Sequence, residues 1–386
     1  MQLSVIILNY NVRYFLEHCI LSVQKAIQNL DAEIIVVDNN SPDDSCDMVK
    51  TLFSNVILIE NQENLGFPKG NNIGVAQAKG NYICILNPDT VVAEDTFTKI
   101  LNTKNWQLNT GIIGCKLIDG TGNFLPESKR GIPTPMVAFG KTFGLYKMFP
   151  KVKIFQKYYA EHLNQNTSGN VDILVGAFMV MKKETYQKVG GFDERYFMYG
   201  EDIDLSYAAL KLGLQNYYFA ETSIIHYKGE STVKDEKYRQ RFQQGMELFY
   251  AKHMKSSVFF NSFMKVGMLF FATIKMKSNA KISKSQPMHY VLYSNDMELK
   301  TKLEQKLKKK IQLKNSSLSE KCASQSLCSE MTTEVILDTN SHSYKACIAF
   351  LEQNKNKNIS FKIKPVDANF IIGSNNSNDR GEVILL

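Results

Sequence analysis

Acids and amides recur at the ends of short apolar runs along residues 1–230. Asp38 ends Ile34-Ile35-Val36-Val37. A carboxylate there can accept hydrogen bonds from a pyrimidine N–H or a ribose hydroxyl. It can equally cap a helix, a task that Asp43 or Asp44 would also perform. Asn64-Leu65-Gly66 begins a glycine turn that runs to Asn71-Asn72 and opens a helix. Backbone amides at a helix start suit a phosphate or ribose-phosphate edge. Asn87-Pro88-Asp89-Thr90 follows another apolar run. Asp89 there suits Mg2+ or Mn2+ bridging a diphosphate, since hard cations take oxygen ligands and keep water and phosphate in their shell. A Pro-Asp type I turn is the structural alternative. Glu201-Asp202-Ile203-Asp204 sets three acids at a helix start, where the helix dipole favours them. Glu201 and Asp204 share a face, and Asp202 lies about 100° around the helix, so the acids can hold different roles. A carboxylate in this segment can act as general base toward a hydroxyl. His226 follows Ile224-Ile225, and a neutral imidazole can complete the shell of a borderline metal such as Mn2+.

These clusters need a scaffold that brings strand ends together. Leu3–Leu8, Glu33–Val37, Val56–Ile59 and Tyr82–Leu86 read as strands, separated by segments with helical spacing. Short strands alternating with helices predict βαβ units and a mostly parallel sheet. In such sheets ligands sit beyond the carboxyl ends of the strands, where these polar clusters fall. Residues 120–170 read as an irregular insertion over a binding face or a plain surface excursion, and order returns over 171–181. A helix is expected from about Glu201 and a strand near Tyr217–Ala220.

Charge narrows the partners. The net charge is +8, yet residues 1–247 hold 25 basic and 27 acidic residues. Residues 248–295 hold seven lysines and no acid. The basicity is a block in the last third, so nucleic acid is not an expected partner of the first two thirds. The seven cysteines form no CxxC pair, which points away from a disulfide framework or zinc site and toward a reducing compartment. No basic stretch precedes the first apolar run, so no secretory signal is expected, and no stretch reaches the length of a membrane span.

The series SVIILNYN, IIVVDNNSPDDS, NLGFPKGNN, ILNPDT, GAFMVMKKE, GGFDERYFMYGEDIDLSYAALKLG and IIHYKGES resembles the family-2 glycosyltransferases with the GT-A fold. It is most similar to the rhamnosyltransferase-like branch that builds bacterial cell-surface polysaccharides. The likeness covers about residues 2–235 and keeps the family's motif order. It implies inverting transfer of a sugar, with rhamnose favoured, from a nucleotide-sugar donor to a saccharide acceptor that is often lipid-linked. By the same likeness Asp38 holds the donor's base or ribose, assisted by Asn9 and the Asn64–Gly66 edge. Asn72 and Asn87 border the donor. Asp89 takes the last position of the DxD motif and binds a divalent metal, Mn2+ or Mg2+, with His226 as the downstream ligand. Asn87 replaces the first Asp of that motif, a departure that removes one carboxylate. Asp202, beside Glu201, is the implied catalytic base. A nucleotidyltransferase is the rival enzyme class, but it needs a glycine- and basic-rich loop after the first strand. Asn9-Tyr10-Asn11-Val12-Arg13 supplies one Arg and no glycine. A non-catalytic nucleotide-sugar-binding scaffold is a further rival, against which Asp38, Asp89, Asp202 and His226 stand together.

The chain therefore reads as a catalytic domain over 1–247, a basic amphipathic segment over 248–286 and a small α/β unit over 287–386 of unassigned role. Phe259, Phe263, Val266, Phe270 and Ile274 form one apolar stripe flanked by lysines. A helix over 258–274 would be about 26 Å long, short for spanning and suited to the membrane interface, with lysines on anionic headgroups. Packing on the catalytic domain or in a dimer is the alternative. The expected location is cytoplasmic, peripheral on the inner face of the plasma membrane. Oligomeric state carries no signal in the sequence.

Overall fold

A computed structural model describes residues 1–134, 137, 157–229, 236–254, 287–318, 332–355, 358–375 and 380–386. The amphipathic stretch at 258–274 lies outside the described residues, as does most of 135–156.

The first sheet grows from the apolar runs. Strands β1 (Leu3–Asn9), β2 (Ala32–Asp38), β3 (Ile57–Glu60) and β4 (Tyr82–Leu86) lie parallel in the order β3-β2-β1-β4. Helices α1 (Arg13–Ile27), α2 (Ser45–Leu52) and α3 (Gly66–Gln77) make the crossovers. β1 is buried along its whole length, as a strand covered on both faces must be. The order continues through β8 (Phe178–Lys182), β6 (Thr110–Ile118), β9 (Gln215–His226) and the two-residue edge strand β5 (Thr90–Val91), with β7 (Gly169–Val171) also on β9. β8, β5 and β7 run antiparallel to their neighbours and β6 runs parallel to β9, so the sheet is mixed but mostly parallel, as expected.

Two features differ from the sequence reading. β6 is a buried central strand that the apolar pattern left unmarked, because Gly111 and Gly114 interrupt it. Both glycines are required by packing: a Cβ at Gly114 would lie 2.7 Å from Leu174, and one at Gly111 would lie 2.9 Å from Asn216. β9 is 12 residues long and includes His226, so the histidine is the last residue of a strand rather than a loop residue beyond it.

Helices α4 (Thr96–Leu101), α5 (Lys183–Val189), α6 (Glu201–Lys211) and α7 (Glu236–His253) complete this part. Asp204 of α6 clips α7 in place, accepting from His253 Nε2 at 2.6 Å and Lys252 Nζ at 2.8 Å.

Residues from 287 onward form a second sheet in the order β11-β10-β12-β13-β14-β15. Its strands are β10 (His289–Tyr293), β11 (Ile311–Lys314), β12 (Thr333–Asp338), β13 (Ile359–Lys364), β14 (Phe370–Gly373) and β15 (Glu382–Leu385), with helices α8 (Met297–Leu307) and α9 (Tyr344–Asn354). Leu299, Leu303, Leu307 and Ile311 suggest one continuous helix by their i+4 spacing. Lys308 turns left-handed at φ 51°, and Ile311 begins β11 instead. β15 falls on the apolar run Val383-Ile384-Leu385, which the sequence reading left unassigned. The second sheet is not free of the first: Lys116 on β6 pairs with Glu352 on α9 at 2.6 Å, and Tyr14 packs edge-on against Phe370 at 5.0 Å. Cys19, Cys46, Cys84, Cys115 and Cys347 are free thiols.

Candidate active site

Register brings the strand-end polar residues into one row, with Asn9 opposite Asp38 and Asp38 opposite Glu60. Asp38 is nearly fully buried, and its carboxylate is already engaged. Oδ1 accepts from Asn9 Nδ2 at 2.7 Å and Ser41 Oγ at 2.6 Å, and Oδ2 accepts from the Ser41 amide at 2.7 Å. About one of its four lone-pair sites is left for a ligand, so its larger task here is to shape the 38–41 turn. Asn39 extends the row, donating to the Gly66 carbonyl at 3.1 Å and accepting from Asn61 at 2.9 Å.

The glycine turn is closed more tightly than the sequence suggests. Gly66 sits at φ +80°, and a Cβ there would come within 2.5 Å of the Phe197 carbonyl oxygen. Asn64 Oδ1 accepts from the Gly66 amide at 3.0 Å, and the Phe197 carbonyl accepts from the Phe67 amide at 2.8 Å. The Phe67 amide therefore holds the loop before α6, and the Gly66 amide is taken by Asn64 within the turn. Asn72 is engaged within the chain as well. Its Nδ2 donates to the Phe192 carbonyl at 3.0 Å and to Glu194 at 2.9 Å, while its Oδ1 accepts from Tyr186 and the Phe192 amide. All four of its hydrogen-bonding sites are committed to the 186–194 loop.

Asp89 and His226 are 137 positions apart in the chain and meet because β5 pairs with β9. Thr90 lies opposite His226, and the Asp89 carbonyl accepts from the Tyr227 amide at 2.9 Å. Asp89 Oδ1 stands 3.3 Å from His226 Nε2, and Asn87 Nδ2 stands 3.4 Å from the same nitrogen. Asn87 Oδ1 and His226 Nδ1 are buried with no partner among the described residues. A carboxylate, an imidazole and an amide oxygen at one spot suit Mn2+ or Mg2+, which take most of their shell from phosphate and water. No group of three His, Cys, Asp or Glu side chains suited to a metal occurs among the described residues. Nearby, Lys228 pairs with Glu127.

The acids at the start of α6 have separate environments. Tyr199 and Gly200 are left-handed, at φ 72° and 96°, and turn the chain so that Glu201 begins the helix. Asp202 Oδ2 accepts from Arg130 Nη2 at 2.5 Å and from the Gly176 amide at 3.2 Å, and Oδ1 accepts from the Ile203 amide at 2.8 Å. Burial opposes the Arg130 charge, but the Asp202 carboxylate and Tyr158 more than offset it, and the guanidinium is held more strongly protonated than usual. Glu201 is buried, and its Oε2 has no partner among the described residues. Burial first, and then the neighbouring Asp202 charge, push its carboxyl up to about 8.

Residues 4–190 match the glycosyl transferase family 2, and residues 134–299 match the glycosyl transferase family group 2. The chain carries a family-2 glycosyltransferase domain. That family inverts at the anomeric carbon, and the mostly parallel α/β sheet is consistent with its GT-A fold. Among relatives, the N-acetylglucosaminyl-diphospho-decaprenol L-rhamnosyltransferase of Mycobacterium tuberculosis is 26% identical, over 60% of this chain and 78% of its own. Rhamnosyltransferase WbbL of Escherichia coli is 29% identical, over 53% of this chain and 78% of its own. Among solved structures, a mannosyltransferase from Pyrobaculum calidifontis in complex with GDP-Man and Mn2+ is 20% identical, with a TM-score of 0.44, covering 66% of this chain and 65% of that one.

In this glycosyltransferase the sequence reading missed Arg130, Glu127 and Lys228. Arg130 lies in an irregular stretch between Pro126 and Pro133, where nothing in the local pattern distinguishes it from a surface cation. Lys228 follows His226 by two positions, which is a usable signal once the histidine is singled out.

The Glu201 environment has a measurable consequence. A carboxyl with a raised folded value binds its proton in the folded chain while the unfolded chain has already released it. Stability therefore falls as pH rises from about 4.5 toward 8. Glu201→Gln removes that dependence. Thermal melts are expected to show the variant gaining on the wild type between pH 5 and pH 8; parallel curves would refute the raised value.

Proposed function

We propose that this glycosyltransferase moves a sugar, rhamnose being favoured, from a nucleotide-sugar to a hydroxyl of a lipid-linked saccharide. The observation that carries the reading is the meeting of Asp89 and His226 at 3.3 Å, within a family whose members transfer sugars from nucleotide donors. Its relatives, an N-acetylglucosaminyl-diphospho-decaprenol L-rhamnosyltransferase and a rhamnosyltransferase, support the choice of sugar and acceptor.

Asp202 accepts the proton of the acceptor hydroxyl as that oxygen attacks the anomeric carbon. The bond to the diphosphate breaks on the opposite face, and one carboxylate suffices because no covalent intermediate forms. Arg130 fixes Asp202 through one oxygen. Asp89 and His226, with the Asn87 amide oxygen, would hold Mn2+ or Mg2+. A cation held there would supply positive charge against the leaving diphosphate. Asn9, Asp38 and the Asn64–Gly66 turn frame the nucleoside end of the donor.

We further place the protein on the inner face of the plasma membrane through residues 258–274, supported by their apolar stripe and flanking lysines. No helix among the described residues is long and apolar enough to cross a membrane.

The test is a panel of dTDP-, UDP- and GDP-sugars incubated with bacterial membrane extract and Mn2+, Mg2+ or EDTA. Transfer from dTDP-rhamnose that EDTA stops is the expected result. His226→Ala is expected to lower kcat/KM by about 10²-fold, the scale of losing one stabiliser of transition-state charge. Full activity of that variant in EDTA would sink the metal reading, and turnover of another donor alone would sink the choice of sugar.

A further inference from the structure

The strand pair that carries Asp89 and His226 is thin. β5 has two residues, sits at the edge of the sheet and, among the described residues, pairs only with β9. So short an edge ladder is the kind of element that opens locally unless something covers it. Here it is covered. Val91, Ala93, Ile225 and Tyr227 join one buried cluster with Tyr344 and Phe350 of α9. Tyr227, the residue after His226, packs edge-on against Phe15 at 5.2 Å. The His18 ring lies 6.2 Å from Tyr227 and 5.7 Å from Tyr344, bridging the two.

The grip extends along the helix. Glu94, three residues past β5, caps α9 from the other sheet: Oε1 accepts from the Tyr344 amide at 2.6 Å and Oε2 from the Lys345 amide at 2.9 Å. An anion there meets both the free amides and the positive end of the helix dipole. Lys345 Nζ returns the contact to Asp95 at 2.7 Å. At the far end, Gly122 approaches so closely that a Cβ would lie 2.1 Å from the Leu351 carbonyl oxygen.

We propose that the unit built from residues 287–386 is a buttress for the metal-binding edge, in which α9, through Tyr344 and the Glu94 cap, holds the β5–β9 ribbon so that Asp89 and His226 address one cation. Tyr344 and Glu94 are then positioning residues. The inference rests on the reading of Asp89 and His226 as cation ligands.

The full chain is compared with Glu94→Gln, Tyr344→Ala and the conservative Tyr344→Phe. Hydrogen exchange is followed in peptides over 89–93 and 222–227 and in β1 and β4, and Mn2+ is titrated in the presence of dTDP. Glu94→Gln and Tyr344→Ala are expected to speed exchange in the ribbon about 10-fold or more while β1 and β4 stay protected. They are also expected to weaken Mn2+ about 10-fold, the scale of losing a group that orients a metal ligand, with Tyr344→Phe matching the wild type. Unchanged ribbon exchange in both variants overturns the buttress, and so does equal loosening of ribbon and central strands. A wild type that binds no Mn2+ overturns the ligand reading, and with it the role in addressing a cation.

Discussion

Asp202→Asn is expected to cut transfer by about 10²- to 10⁴-fold, the contribution of a positioned general base, with nucleotide-sugar binding unchanged. The substitution keeps the shape and leaves an oxygen for Arg130 and the Gly176 amide, but it takes the counter-charge from the buried Arg130, so a loss of stability accompanies it and the rates are compared on folded protein. What it removes is the basic lone pair that takes the acceptor proton. Binding and chemistry then separate, because the lost interaction is made with a proton that moves only in the transition state. Steady-state rates read beside donor titration and a thermal melt check the claim. Near wild-type turnover would show that Asp202 is not the base. Glu201, buried with its carboxyl pushed up to about 8, would then be the next group to test.

Arg130→Met has the second large effect, and it acts on stability. Arg130 and Asp202 are paired at 2.5 Å with both side chains about 12% exposed. Removing one partner of such a pair leaves a buried charge uncompensated, at a cost of about 3–5 kcal/mol. Denaturant melts of the variant and wild type should show that deficit. Arg130→Lys restores a charge without the planar fork and should recover part of the loss. An Arg130→Lys variant no more stable than Arg130→Met would mean that Arg130 contributes packing alone.

Much of the scaffold was legible residue by residue. The β-branched runs at Val5–Ile7 and Ile34–Val37 are buried parallel strands because such runs have no polar face to give to water. Glu201 does begin a helix, and the strand ends at Asn9 and Asp38 do lie side by side. Other elements were hidden for definite reasons. β6 reads as broken because its glycines serve the packing of Leu174 and Asn216. Ile311 fits an i+4 helical ladder and a strand equally well, and only the left-handed Lys308 decides between them. Asn72 has the composition of a ligand-binding residue, yet its amide is consumed by Tyr186, Phe192 and Glu194, a loop about 120 positions away in the chain.

The sequence by itself determined the family, the order of the motifs, the alternation of strands and helices, and the crowding of acids at the start of α6. Each of these is a local property, set by side-chain type and spacing within a few turns of chain. The tertiary structure alone decided which acid has a cation against it, that Asp89 meets His226, that the first amides of α3 are closed, and that Glu94 caps a helix 250 positions later. Those pairings depend on strand order and on which loops converge at one edge, and a contact between distant segments imposes no periodicity on either of them.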